Sequence, residues 1–138
     1  MENKCLYCYE LLEDMADFHE KCSRKLFGSA TPPQVPYSLD QMTELAKNVV
    51  EHSISVPGVQ PKLSISVVNE TREKANSRLT VVGALGGQYI LKPPSEKFPE
   101  MPENEHVTMR IAEAFGIHVV PSGLIRLASG ELSYITKR

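Results

Sequence analysis

The 138-residue sequence predicts an α+β fold: an antiparallel sheet with one helix inserted after its third strand, preceded by a small Cys/His knuckle and a helix. Three observations carry this. Leu63, Ile65 and Val67 alternate with Ser64 and Ser66, the period of a strand. Two short apolar runs, Arg78–Leu85 and Gln88–Lys92, follow it on either side of Gly86-Gly87. Apolar residues at three-four spacing mark one helix before this set and another after it.

In chain order, residues 1–30 form a first segment with Cys5, Cys8, His19 and Cys22, ending in a short helix from Phe18 to Leu26 that Gly28 stops. Residues 31–52 begin with a Pro-rich connector, Thr31 to Pro36, which reads as extended linker. Ser38 then caps a helix, with Gln41 as its capping-box partner and Met42, Leu45, Ala46, Val49 and Val50 on its apolar side. Residues 53–138 hold the sheet. Its first strand reads as half-buried, Asn69–Ser77 as a polar turn, and Gly86-Gly87 as a tight hairpin between the second and third strands. Pro93-Pro94 ends the third strand. A second helix is expected from Glu103 to Phe115, with Val107, Ile111, Ala114 and Phe115 on one apolar face and Gly116 as its stop. Two strands follow, His118–Leu127 and Leu132–Lys137, around Ser129-Gly130.

The formal net charge of −2 implies no general attraction to nucleic acid or anionic membrane, and Lys21, Arg24 and Lys25 read as a solvated helix face. No apolar run reaches membrane-spanning length, and the first residues lack the apolar core of a signal peptide. A cytoplasmic location is the expectation.

Three cysteines clustered in the first 22 residues argue against a disulfide framework. Cys5 and Cys8 have the spacing of a knuckle, and His19 and Cys22 are one helical turn apart, so both can face the same point. A Cys₃His set of this kind suits structural zinc, stapling a segment with little apolar core of its own. The competing reading is reduced cysteines packed as small hydrophobes. A zinc-dependent nucleic-acid module built on residues 1–28 is a further, weaker alternative.

Lys92 ends a strand and Glu105 lies on the following helix. A strand-end ammonium can reach ligand phosphates while a helix carboxylate positions it, although a solvated lysine looks the same in isolation. Ser53–Leu63, with Gly58 between Pro57 and Pro61, can turn backbone N–H groups toward phosphate oxygens. His52, His106 and His118 read as surface or local packing residues.

The order hairpin, lysine strand, glutamate helix and two strands is that of a protein-kinase N-lobe. Ser53-Ile54-Ser55 with Gly58-Val59-Gln60-Pro61-Lys62-Leu63, then Tyr89–Pro93, then Phe98-Pro99 with Glu103-Asn104-Glu105-His106 and Thr108-Met109, and finally Tyr134–Arg138, together resemble the HipA-like serine/threonine kinases, in particular the short HipT-type members. The resemblance covers residues 53–138. It implies an ATP-phosphate loop at Ile54–Gln60, with Ser55, Val56, Pro57, Gly58, Val59 and Gln60 near the nucleotide. It implies phosphate contact by Lys92 supported by Glu105, and Lys137-Arg138 near the adenine. Ser53 and Ser55 would be regulatory phosphorylation sites. ATP with magnesium, protein substrates, toxin–antitoxin operons and small antitoxin-type partners come with the family.

Phosphoryl transfer needs an aspartate for the substrate hydroxyl and an Asp/Asn pair for magnesium. Asp14, Asp17 and Asp40 all precede Lys92. The expectation is therefore an ATP-binding N-terminal lobe, catalytically incomplete alone, that relies on a C-lobe or a separate partner chain. The alternative is a non-enzymatic module that binds a partner kinase or antitoxin.

Overall fold

The computed structural model describes residues 2–52, 62–69, 77–83 and 87–138, with backbone alone at 49–52, 68–69 and 81–83. The elements run α1 (Glu20–Phe27), α2 (Leu39–His52), β1 (Leu63–Asn69), β2 (Ser77–Gly83), β3 (Tyr89–Lys92), α3 (Met101–Ala114), β4 (Ser122–Arg126) and β5 (Leu132–Lys137). The five strands form one antiparallel sheet in the order β2-β1-β3-β5-β4, and α3 is inserted between β3 and β4 as expected. Among the described residues, no helix is long and apolar enough to cross a membrane.

Local signals explain the helix ends. The Ser38 N–H donates to Gln41 Oε1 (2.9 Å) and the Gln41 N–H donates to Ser38 Oγ (3.3 Å), a complete capping box before α2. Gly28 ends α1 in the left-handed region, with φ at 75°. At the end of α3 the Gly116 N–H donates to the Glu113 carbonyl and the Ile117 N–H to the Ala112 carbonyl. That pattern is a Schellman motif, with φ of 82° at Gly116. The same helix starts at Met101, two residues earlier than expected, because Pro102 sits in its first turn, where no N–H is missed.

Several expectations are corrected. β2 and β3 both pair with β1 and not with each other, so Gly86-Gly87 does not close a hairpin. Gly87 instead lies against the β1 backbone: a Cβ there would meet Ile65 N and O at 2.7 Å. β1 is not half-buried, since Leu63, Ser64 and Ile65 are all buried. It lies inside the sheet with both faces covered there, and Arg138 Nη1 donates to Ser64 Oγ (3.1 Å). β4 begins at Ser122 because Pro121 has no N–H to give to a ladder. The apolar face of α3 points outward, with Ile111 52% and Phe115 80% exposed; the buried residues of this helix are Pro102 and His106. The Asn69–Ser77 turn is covered by the described residues only at its ends.

One hydrophobic cluster joins the N-terminal segments to the sheet. Cys5, Leu6, Phe18, Cys22 and Leu26 share it with Met42 and Ala46 of α2 and with Leu63, Ile65, Leu91 and Ile135 of the sheet. The connector takes part too: the Gln34 N–H donates to the Ser77 carbonyl and the Leu79 N–H to the Gln34 carbonyl, so the chain pairs briefly with the outer edge of β2.

Candidate functional site

Strand alternation and register assign side chains to faces. Leu91 pairs with Leu63 and Ile135, and Ile135 with Gly123, so these share one face. α1 covers that face: the Tyr89 hydroxyl donates to the Leu26 carbonyl (2.9 Å), and the Tyr89 ring lies against Phe27. Lys92 pairs with Tyr134 on the opposite face. There the Lys92 ammonium forms a hydrogen-bonded ion pair with Glu105 of α3, and it lies over the Tyr134 ring at 5.4 Å. The two side chains are 19% and 21% exposed, so the pair is partly shielded from water and still reachable.

The pair borders a cleft lined by Lys92, Glu105, Met109, Tyr134 and Thr136, while Glu105 also lines a second opening beside Phe98, Met101 and Thr108. Lys137 pairs with Tyr89, three residues from Lys92, which puts the Lys137 and Lys92 side chains on opposite faces. Ser53, Ser55, Val56, Pro57, Gly58, Val59 and Gln60 lie outside the described residues.

The Cys/His set is assembled. The ligand atoms of Cys5, Cys8, His19 and Cys22 all lie within 4.8 Å of one another. His19 Nδ1 is 3.5 Å from Cys8 Sγ and 3.9 Å from Cys22 Sγ. Zinc–ligand bonds of about 2.0–2.3 Å in a tetrahedron put neighbouring ligand atoms about 3.5–3.8 Å apart, close to these spacings. The His19 Nε2–H donates to the Leu11 carbonyl (3.0 Å). A carbonyl only accepts, so the lone pair of the neutral ring sits on Nδ1, facing the thiols. Burial raises the Cys5 thiol, but backbone hydrogen bonds from Cys8, His19 and Tyr7 outweigh it and bring it down to about 7. Burial, with hydrogen bonding and charge from Cys8 and Cys5, pushes Cys22 up to about 12. The cluster could hold a metal ion.

Sequence reasoning missed how this knuckle meets the sheet and α3. The Leu124 N–H of β4 donates to the Leu6 carbonyl (2.9 Å), and Arg126 pairs with Asp17 (3.1 Å). Arg110 of α3 lies over the Tyr7 ring at 4.7 Å, and His106 packs against the Tyr9 ring at 4.8 Å. Tyr9 adopts φ of 65°, a conformation that costs a residue with a Cβ about 1 kcal/mol. His106 is fully buried. Burial and the Arg110 charge pull it down to about 4, against a weaker opposing effect of the Tyr7 backbone. The only sequence signal for these contacts was the His106-x-x-x-Arg110 spacing, which puts both residues on one side of a helix.

Residues 54–138 match the family model described as "HipA-like C-terminal domain". A protein of Haemophilus influenzae named "Putative kinase" is 34% identical over 96 residues, covering 70% of this chain and 25% of that protein. The chain thus spans about a quarter of the length of the curated relative it matches. The family match covers the sheet, the lysine strand and the glutamate helix in one stretch, and on that basis the chain belongs to the HipA-like kinase family.

Proposed function

We propose that this chain is the ATP-phosphate-binding lobe of a HipA-like protein serine/threonine kinase. The Lys92–Glu105 ion pair at the mouth of a cleft carries this reading, because a lysine held by a helix carboxylate can present its charge to phosphate oxygens. The loop Ile54–Gln60 would close over the phosphates, and Ser53 and Ser55 would regulate it when phosphorylated. Lys137 would meet the adenine side through its backbone, since its side chain points to the other face.

The aspartates that orient the substrate hydroxyl and hold magnesium would come from residues beyond these 138 or from a partner chain. The setting would be a cytoplasmic toxin–antitoxin system with an antitoxin-type protein as partner. The Cys5, Cys8, His19 and Cys22 set would hold a structural zinc ion, all four positions being filled by the protein.

The test is titration of the chain with ATP and magnesium. Saturable binding weakened by Lys92→Met supports the reading, and equal binding by both proteins would sink it. The chain should not phosphorylate Ser53 or Ser55 by itself. A binding module without turnover is the second reading, favoured by the exposed apolar side of α3; it predicts partner capture with no measurable affinity for ATP.

A further inference from the structure

The helix that carries Glu105 lies against β4 and β5 but buries few of its own side chains. Of its 14 residues only Pro102 and His106 are buried, while Val107, Ile111 and Phe115 face outward. One of those two buried residues, His106, meets the Tyr9 ring, and Arg110 one turn later lies over Tyr7. Tyr7 sits between Cys5 and Cys8, and Tyr9 directly follows Cys8. The two rings that grip α3 are thus placed by the backbone that presents two of the four clustered ligands.

α3 also packs on β4 and β5, but where it meets the knuckle its polar groups add little to the ring contacts. The His106 ring nitrogens, Glu103 Oε2 and Arg110 Nε are buried without a hydrogen bond among the described residues. The ion pair that Arg110 makes is with Glu113 (3.2 Å), on its own helix, so it ties the helix to nothing else. On the other side, the knuckle is held firmly to β4. The Leu124 N–H donates to the Leu6 carbonyl, and a Cβ at Gly123 would come within 3.1 Å of that same oxygen and of Leu26. The knuckle is therefore a bridge from β4 to α3, with its ring pair as the contact on the helix.

We propose that the Cys₃His centre positions α3: a bound zinc ion fixes Tyr7 and Tyr9, the two rings hold Arg110 and His106, and the helix thereby presents Glu105 to Lys92. Tyr9 and His106 are positioning residues in this account. The proposal rests on the reading of the cluster as a zinc site, and it does not depend on whether the chain binds ATP.

Three measurements on the full chain test it: zinc content, amide hydrogen exchange along residues 101–114, and the NMR resonance of Lys92 Nζ. Tyr9→Ala should keep one zinc per chain, yet raise exchange in α3 about tenfold while β3 and β5 change by less than about twofold. The same variant should move the Lys92 Nζ resonance toward its position in Glu105→Gln, which a loss of general stability would not do. Tyr9→Phe, which keeps the ring, should restore both. Removing zinc from the wild-type chain should reproduce the Tyr9→Ala pattern. Should the metal-free chain unfold altogether, the zinc-loaded Tyr9→Ala protein decides. Wild-type α3 exchange and an unmoved Lys92 resonance in that protein would overturn the positioning role and leave the zinc reading standing. A wild-type chain purified without chelator and lacking stoichiometric zinc would remove the zinc reading, and the positioning role with it.

Discussion

Lys92 at the end of β3 and Glu105 in the second turn of α3 form an ion pair that joins the sheet to its inserted helix across 13 residues of sequence. Such a pair serves a ligand only if the lysine can leave the carboxylate partly free, and the shallow burial of both side chains permits that. Replacing Glu105 by Gln removes the charge but keeps the shape. Affinity for ATP with magnesium should fall about tenfold, or about 1.4 kcal/mol, and Lys92→Met should cost at least as much. Because the two groups act together, the double variant should lose clearly less than the sum of the single losses. Isothermal titration of the four proteins checks this, and strict additivity would show that the pair does not act as a unit.

Much of this arrangement was legible from the sequence, and the reason is local. The capping box at Ser38 and Gln41, the stops at Gly28 and Gly116, and the alternation from Leu63 to Val67 are written within a few residues of where they act. The convergence of Cys5, Cys8, His19 and Cys22 was also visible, because paired spacing limits where four ligands can point. Strand order was not. β1 inserts between β2 and β3, and nothing near Gly86-Gly87 announces that the partner of both strands lies earlier in the chain. The outward face of α3 was misjudged because its inward positions carry polar residues, Glu105, His106 and Arg110, that are used for pairing and ring contacts. The ring partners of His106 and Arg110, Tyr9 and Tyr7, lie about 100 residues away in sequence, beyond the reach of periodicity.

The buried His106 gives stability a pH dependence. Its folded value of about 4 lies below the ordinary value of 6.5, so the unfolded chain binds the extra proton between these limits. The contribution is therefore fully present above about pH 6.5 and is lost as pH falls toward 4, amounting to about 3 kcal/mol at most. Urea unfolding of the wild type and of His106→Phe at several pH values isolates this from acid release of metal, which affects both. The difference in their unfolding free energies should change across pH 4–6.5 and level off above it.

Zinc removal should be felt in the core, because Cys5 and Cys22 are buried members of the hydrophobic cluster. The wild-type chain should contain one zinc ion, and cobalt substitution should give the thiolate charge-transfer absorption of a tetrahedral sulfur-rich site. Cys8→Ser should lower metal affinity by at least about tenfold and reduce the midpoint of thermal unfolding by several degrees. A chelator that leaves the wild-type midpoint unchanged would argue that the thiols pack as plain small side chains.

Gly87 tests the corrected strand order. A Cβ at this position would stand 2.7 Å from the Ile65 backbone nitrogen and oxygen, and backbone atoms in the middle of a paired strand cannot step aside as a flexible side chain can. Gly87→Ala should therefore destabilise the chain by about 2 kcal/mol or more. Gly130→Ala is a useful comparison, since no atom lies within 4 Å of a Cβ there and its cost comes from φ of 104° alone. In denaturant melts the Gly87 variant should be the less stable of the two. The opposite ranking would mean that β3 does not enter the sheet beside β1 along this path.

The outward apolar residues of α3 call for a different result. Phe115 is 80% and Ile111 52% exposed, so neither has much burial to lose within the chain. Replacing both with Ser should change stability by less than about 1 kcal/mol, most of it from helix propensity at Ile111. The same change removes a contiguous apolar strip and should lower both the binding of a hydrophobic dye and concentration-dependent light scattering. A loss of several kcal/mol would instead place these side chains in contacts that help hold α3 to the sheet. The helix would then have a second anchor besides Pro102 and His106, and its dependence on the Tyr7–Tyr9 grip would weaken accordingly.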